Sequence, residues 1–140
     1  MSLFLLDTDT LSLLEQGHLL VQQRVNSHAV SDIALSAISI HEQMQGFLAS
    51  LSRARNHQQL ARAYDMLVTR LLPVWCRFSV LSFPETAILR FEHLRSLRLN
   101  VGLMDLRIAA IARENNLTVV TRNQRDFGRV PGLVTVDWSI

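Results

Sequence analysis

An α/β fold, with a mostly parallel sheet carrying helices on both faces, is what this sequence predicts. Three observations lead there. Short apolar runs alternate with longer segments of helical period along the whole chain. The runs are joined by helical segments and not by tight turns, which implies crossover connections and parallel strands. Glycine and proline are few, five and three, and sit at element boundaries. No internal repeat, low-complexity tract or linker divides the 140 residues, so 1–140 reads as a single domain.

Leu3 to Leu6 is a short apolar strand, followed by a helix from about Thr8 to Gln16 with Gly17 as its stop. A second helix covers Leu19 to Asn26. Ile33 to Leu35 is the next strand, and a helix begins near Ser39 and passes Phe47. His57 to Leu72 is strongly amphipathic, with Leu60, Ala61, Tyr64, Leu67, Val68 and Leu71 at helical spacing, a stripe normally spent on core. Phe78 to Leu81 forms a third strand. Pro84 suits the first turn of the following helix. Asp105 opens a helix that reaches about Asn115, and the β-branched Leu117–Thr121 segment is a fourth strand. Leu133 to Val136 is the fifth. Trp75 and Trp138, with the six phenylalanines, are expected in the core, and Cys76 is read as a buried, inert thiol.

Composition narrows the function classes. The chain is 49% hydrophobic and 19% charged, which suits a globular protein and not a disordered one. No apolar run approaches the ~18 residues of a membrane span, and no basic segment precedes the first apolar residues. One cysteine forms no internal disulfide, in keeping with a reducing compartment. A soluble cytoplasmic protein is the expectation. All fourteen basic residues are arginines. The missing lysine excludes chemistries that need one, and guanidinium forks suit phosphate oxygens. Arg107, Arg113, Arg122, Arg125 and Arg129 cluster late in the chain.

In open α/β sheets, ligand chemistry gathers at the carboxyl ends of the strands. Asp7 and Asp9 follow the first strand, Glu42 lies one turn into the helix after the second, and Asp105 begins the helix leading to the fourth. Asn123 and Asp126 follow that fourth strand. Carboxylates brought together repel, so one takes a proton or a cation neutralises them. A group of oxygen ligands without His or Cys suits Mg²⁺ or Mn²⁺ better than zinc. Each acid also has a structural reading. Asp7 or Asp9 suits a helix cap, Ser39-x-x-Glu42 matches a capping box, Asp105 suits another N-cap, and Asp126 suits a turn. The five histidines show no metal-ligand spacing, and there is no Gly-rich phosphate loop. Asp7-Thr8-Asp9 also spells the opening of haloacid-dehalogenase-like phosphatases, with Asp7 as nucleophile and Asp9 as acid/base. That class, like receiver domains, uses a lysine that this chain lacks.

The stretches LLDTDTLS, AISIHEQMQG, MDLRIAAIARENNLTVVTRNQRDFGRVPGL and the closing VDW resemble the successive motifs of PIN-domain proteins, nearest to the VapC-like toxins of toxin–antitoxin pairs. The third and fourth stretches together are the specific ones, while residues 48–83 carry no diagnostic motif. The resemblance implies a three-layer α/β/α fold with a five-stranded, mostly parallel sheet. It implies a Mg²⁺- or Mn²⁺-dependent endoribonuclease with Asp7, Glu42 and Asp105 as first, second and third acids, as metal ligands and catalytic residues. Many members carry the fourth acid directly after T-x. Here that position is Asn123, with Asp126 three residues on, so the fourth place stays open between them. Asp9 replaces a common Asn, and Thr8, Ser12 and Thr121 match small hydroxyl positions near the site. Arg122 and Arg125 are the first choices for RNA phosphates. An RNA substrate, a cognate antitoxin and a second copy of the chain are the partners implied, with no membrane. A PIN-like domain that binds RNA or protein without catalysis is the other reading.

Overall fold

The computed structural model describes residues 2–140. Five strands form one sheet: β1 (Phe4–Leu6), β2 (Ile33–Ser36), β3 (Ser79–Leu81), β4 (Thr118–Val120) and β5 (Thr135–Val136). Their order is β3-β2-β1-β4-β5, and every neighbouring pair is parallel. β1 lies at the centre, with Leu5 opposite Ala34 on one side and Val119 on the other. The five-stranded α/β/α expectation is met.

Alternation along the strands sorts side chains to two cores. Leu5, Ala34 and Val119 enter one cluster with Phe91, Leu94, Ile108, Ile111 and Phe127. Leu6, Ile33, Leu35 and Val120 enter the other with Leu11, Leu14, Val21, Val25 and Trp138. Helices α6 (Glu85–Ser96) and α7 (Leu103–Glu114) cover the first face, and α1 (Thr8–Glu15) and α2 (Leu19–Asn26) cover the second. Because both faces are covered, the central strands are apolar throughout and not alternating, as parallel sheets require. The helix after β2, α3 (Ala37–Arg53), leans against α1 and α4 (His57–Met66).

Five details differ from the sequence reading. Helix α3 starts at Ala37, because Ser36 Oγ accepts from the Ser39 amide at 3.1 Å. The box Ser39-x-x-Glu42 therefore does not form. Helix α7 starts at Leu103 behind Gly102, which places Asp105 inside the first turn and not at its cap. The His57–Leu72 helix ends as α-helix at Met66, passes through a π-helical turn (Leu67–Leu71) and resumes as α5 (Leu72–Arg77). Pro73, in the first turn of α5, has no N–H to give to the preceding turn, and a change of helical register absorbs that loss. The stripe on this arm is also mostly uncovered. Only Ala63 and Leu71 are buried, while Tyr64 is 52% and Val68 62% exposed. Cys76, at the end of the arm, is exposed and not buried.

Candidate active site

Where β1 ends, Asp7 takes extended backbone angles (φ −73, ψ 171) and caps α1, its Oδ1 accepting from the Thr10 amide at 2.8 Å. The Asp7 amide donates to the Val120 carbonyl, and Thr10 Oγ1 donates to the same oxygen at 3.0 Å. Two bonds thus lock this strand end to β4, and the cap ties it to α1. Asp7 is 3% exposed. Burial pushes its carboxyl above the ordinary value, against the opposing pull of the Thr121 hydroxyl and the Thr10 amide.

The Ser36 cap leaves Glu42 free to point across to α1, where Thr8 Oγ1 donates to Glu42 Oε1 at 2.6 Å. The Ser39 hydroxyl lies 3.0 Å from the same Thr8 oxygen. Asp105, in the first turn of α7, has its pKa raised from 3.8 to about 6. Burial is the main cause, followed by the charges of Asp7, Glu42, Asp126 and Asp9. Acids from three separate parts of the chain therefore sense one another. No arginine or histidine forms an ion pair with Asp7, Glu42 or Asp105 among the described residues.

The fourth position resolves into two different environments. Asn123 caps the short helix α8 (Gln124–Phe127), its Oδ1 accepting from the Asp126 amide at 3.3 Å and its Nδ2 donating to Asp126 Oδ2 at 3.0 Å. The Asn123 amide donates to Oγ1 of the fully buried Thr121 at 2.9 Å. Asp126 also accepts from Arg129 at 3.2 Å and Arg125 at 3.4 Å. The Asn123 bond and these two arginines hold its carboxyl below the ordinary range. Asp9 meets Arg122 through both carboxylate oxygens, at 2.7 and 3.0 Å, on the exposed side.

One cavity of about 550 Å³ collects these groups. Asp7, Thr8, Asp9, Ser12, Glu42, Asp105, Arg122 and Asn123 line it. Asp126 and Arg125 do not, although the Asp126 charge still reaches Asp105. All cavity donors other than the Arg122 guanidinium and the Asn123 amide nitrogen are oxygens, and negative charge outweighs positive. This donor chemistry fits a hard divalent cation and offers nothing to a soft one. No three His, Cys, Asp or Glu side chains converge closely enough to ligate one ion together among the described residues. A cation held here would draw on one or two carboxylates and on water, the habit of Mg²⁺.

The acids are legible in the sequence, and their supports are not. Thr8 was visible only as a small hydroxyl position, and its bond to Glu42 spans 34 positions. Arg129 signals itself only through its spacing of three from Asp126 once a helical turn is known. A second missed network lies beside the cavity. Trp75 Nε1 donates to Gln43 Oε1 at 2.6 Å, and Gln43 Nε2 donates to Glu15 Oε1 at 2.5 Å and to Ser12 Oγ at 3.2 Å.

Comparison with known proteins agrees with this fold. A family model described as the PIN domain matches residues 4–133. The chain is 29% identical over 111 residues to the Ribonuclease VapC2 of Rickettsia felis, covering 76% of this chain and 75% of that one. It is 29% identical over 140 residues to the tRNA(fMet)-specific endonuclease VapC of Salmonella typhimurium, covering 96% and 97%. Among solved structures, a chain of the DNA-bound VapBC of Salmonella typhimurium superposes with a TM-score of 0.80 at 26% identity, covering 99% of both chains. VapBC2 of Rickettsia felis, bound to a promoter DNA fragment, gives 0.72 at 24% identity over 97% and 98%.

Proposed function

Since this chain belongs to the PIN-domain family, we propose that it is a divalent-metal-dependent endoribonuclease, the toxin of a toxin–antitoxin pair. The observation that carries this reading is the convergence of Asp7, Glu42 and Asp105 on one cavity without a cationic partner. Relatives named as ribonuclease and tRNA-specific endonuclease support the nuclease class. Structural neighbours that are VapBC complexes support a cognate antitoxin as partner. A second copy of the chain is proposed as the other partner.

Asp7, Glu42 and Asp105 are the residues that would hold Mg²⁺ or Mn²⁺, one or two of them directly and the rest through water, with the Asn123 amide oxygen at the fourth wall. Such an ion supplies water activation, template and charge neutralisation for phosphodiester hydrolysis. The chain's own contribution is orientation. The Thr10 amide fixes one Asp7 oxygen, and Thr8 fixes one Glu42 oxygen. Glu42 therefore keeps its second oxygen for a ligand, while the Thr121 hydroxyl also bears on Asp7. Asp126, held ionised by Asn123 and two arginines, adds negative charge beside Asp105 without lining the cavity. Arg122 sits on the rim, where a phosphate oxygen competes with Asp9 for its guanidinium. That Asp9–Arg122 pair also removes Asp9 as a free acid/base, which disfavours the phosphatase reading.

The test is direct. Purified protein should cleave a structured RNA in Mg²⁺ or Mn²⁺ and stop on addition of EDTA, and Asp7→Asn should abolish cleavage while keeping the wild-type circular dichroism. Equal cleavage by the mutant sinks the assignment.

A further inference from the structure

A second and larger cavity, about 650 Å³, runs between α1, α3 and α4 and is continuous with the acid cavity through Thr8, Ser12 and Glu42, which line both. Its volume lies within the ~300–1,000 Å³ of small-ligand sites. Two kinds of chemistry meet in it. Arg53, Arg62 and Arg70 line it and are exposed, and none has a carboxylate within ion-pair distance among the described residues. Deeper in, Glu15 lines the same groove beside Gln43, with Phe47 on the wall.

Glu15 is poorly satisfied. One of its oxygens takes the Gln43 amide, and Gln43 is in turn fixed by Trp75. The other oxygen is closed to solvent and has no hydrogen-bond partner. Leaving a buried carboxylate oxygen unpaired is costly, and native proteins rarely do so without a use for it. Burial accordingly pushes the Glu15 carboxyl up to about 7, against the lowering pull of Gln43 and Trp75. A carboxylate oxygen accepts two hydrogen bonds, so the oxygen that Gln43 meets keeps one acceptor position for a donor in the groove.

We propose that this groove is a nucleotide subsite for the RNA strand adjoining the cleaved bond, with Arg53, Arg62 and Arg70 on its phosphates and Glu15 accepting from the N–H edge of one base. The proposal rests on the ribonuclease reading and adds to it a residue that sets base preference. Exposed guanidiniums with a deeper carboxylate match a nucleotide, which is anionic at its phosphate and carries N–H donors on its base. An acidic peptide satisfies the arginines but meets repulsion from Glu15 and Glu42. A base whose phosphate lies in the acid cavity has neighbours that must leave by an adjoining opening, and this groove is one. The face of Phe47 offers a stacking surface of the kind single-stranded RNA uses. Among the bases, guanine sets two N–H donors side by side and suits a carboxylate oxygen best. Uracil, whose one N–H lies between two carbonyl oxygens, suits it worst.

The test uses short oligoribonucleotides that differ at one position, bound to the Asp7→Asn protein in Mg²⁺, together with end-mapping of RNA cut by the Asp7 protein. Guanine should be preferred over uracil at one fixed position by at least about tenfold, and Glu15→Gln should flatten that preference while the melting midpoint shows a folded protein. Replacing Arg53, Arg62 and Arg70 together by Gln should weaken binding to all sequences alike and reduce its salt dependence. If the Glu15→Gln protein keeps both its base preference and its cleavage sites while Asp7→Asn abolishes cutting, the subsite is wrong and the ribonuclease stands. If no RNA is cut but the Glu15-dependent preference persists in binding, the subsite stands and the ribonuclease falls. Absence of both binding and cutting removes both. An acidic peptide that binds through the three arginines, with oligonucleotide binding untouched by their loss, overturns the proposal in favour of a protein ligand.

Discussion

The strand-end region around Asp7 and the helical arm of α4, the π turn and α5 are built on opposite principles. At the strand ends, each side chain is fixed by partners far away in sequence: Thr10 to Val120, Thr8 to Glu42 and Asp9 to Arg122. Along the arm, the bonds outside the helix backbone are mostly local, such as Thr69 to the Asp65 carbonyl, and much of the apolar stripe faces solvent. The first region gathers carboxylates without a cationic partner around the buried Asp7. The second carries apolar surface and free guanidiniums in an open setting. A rigid, over-determined site with an adaptable wall beside it is the arrangement expected where chemistry must be exact in position but the polymer it acts on varies.

Substitutions should separate the two regions, beginning with the largest effect. Asp7→Asn should lower RNA cleavage by more than the ~100-fold typical of outer-shell residues around a metal, with the fold intact because Asn also caps helices. In stability, Phe127→Ala empties a fully buried position beneath the site and should cost about 3–5 kcal/mol by chemical denaturation. Val68→Ala on the arm should stay within about 0.5 kcal/mol, since that side chain is 62% exposed. Similar losses at both positions would mean the arm is as tightly held as the sheet.

Glu15 lies on the boundary between the regions and gives a pH signature. Its folded pKa, about 7, lies above the ordinary 4.5, so the unfolded chain gives up this proton first. Its penalty is absent below about pH 4.5, grows between 4.5 and 7, and is full above. Glu15→Gln should therefore be the more stable protein at pH 8 by about 1–2 kcal/mol, after discounting for the partly solvated carboxyl, and this advantage should vanish near pH 4. The smallest effect is expected from Arg122→Gln. Its pair with Asp9 is half-exposed on both sides, so the melting midpoint should not move, while RNA affinity at low salt should fall.

The same contrast explains what the sequence made legible. All five strands were readable, the central three because short apolar runs buried on both faces leave little freedom in composition. The acids were readable because the strand-end rule says where to look. What was not readable depended on competition between equivalent local groups. Ser36 and Ser39 are both good caps, and the backbone chose Ser36, which released Glu42 toward Thr8. Gly102 displaced Asp105 as the start of α7. The apolar stripe of residues 57–72 was correctly seen as helical, but periodicity reports a face and not what covers it. Cys76 shows the same limit: a lone thiol carries no pattern from which exposure follows. The Glu15–Gln43–Trp75 chain joins positions about 30 residues apart and left no local sign.

The outermost strands of the sheet are both short, three residues in β3 and two in β5. A rung that short presents too few free backbone groups to template a strand from another molecule, so the sheet does not propagate from chain to chain. Association through the sheet edges is thereby disfavoured, and the acid cavity at the strand ends stays clear of any growing sheet.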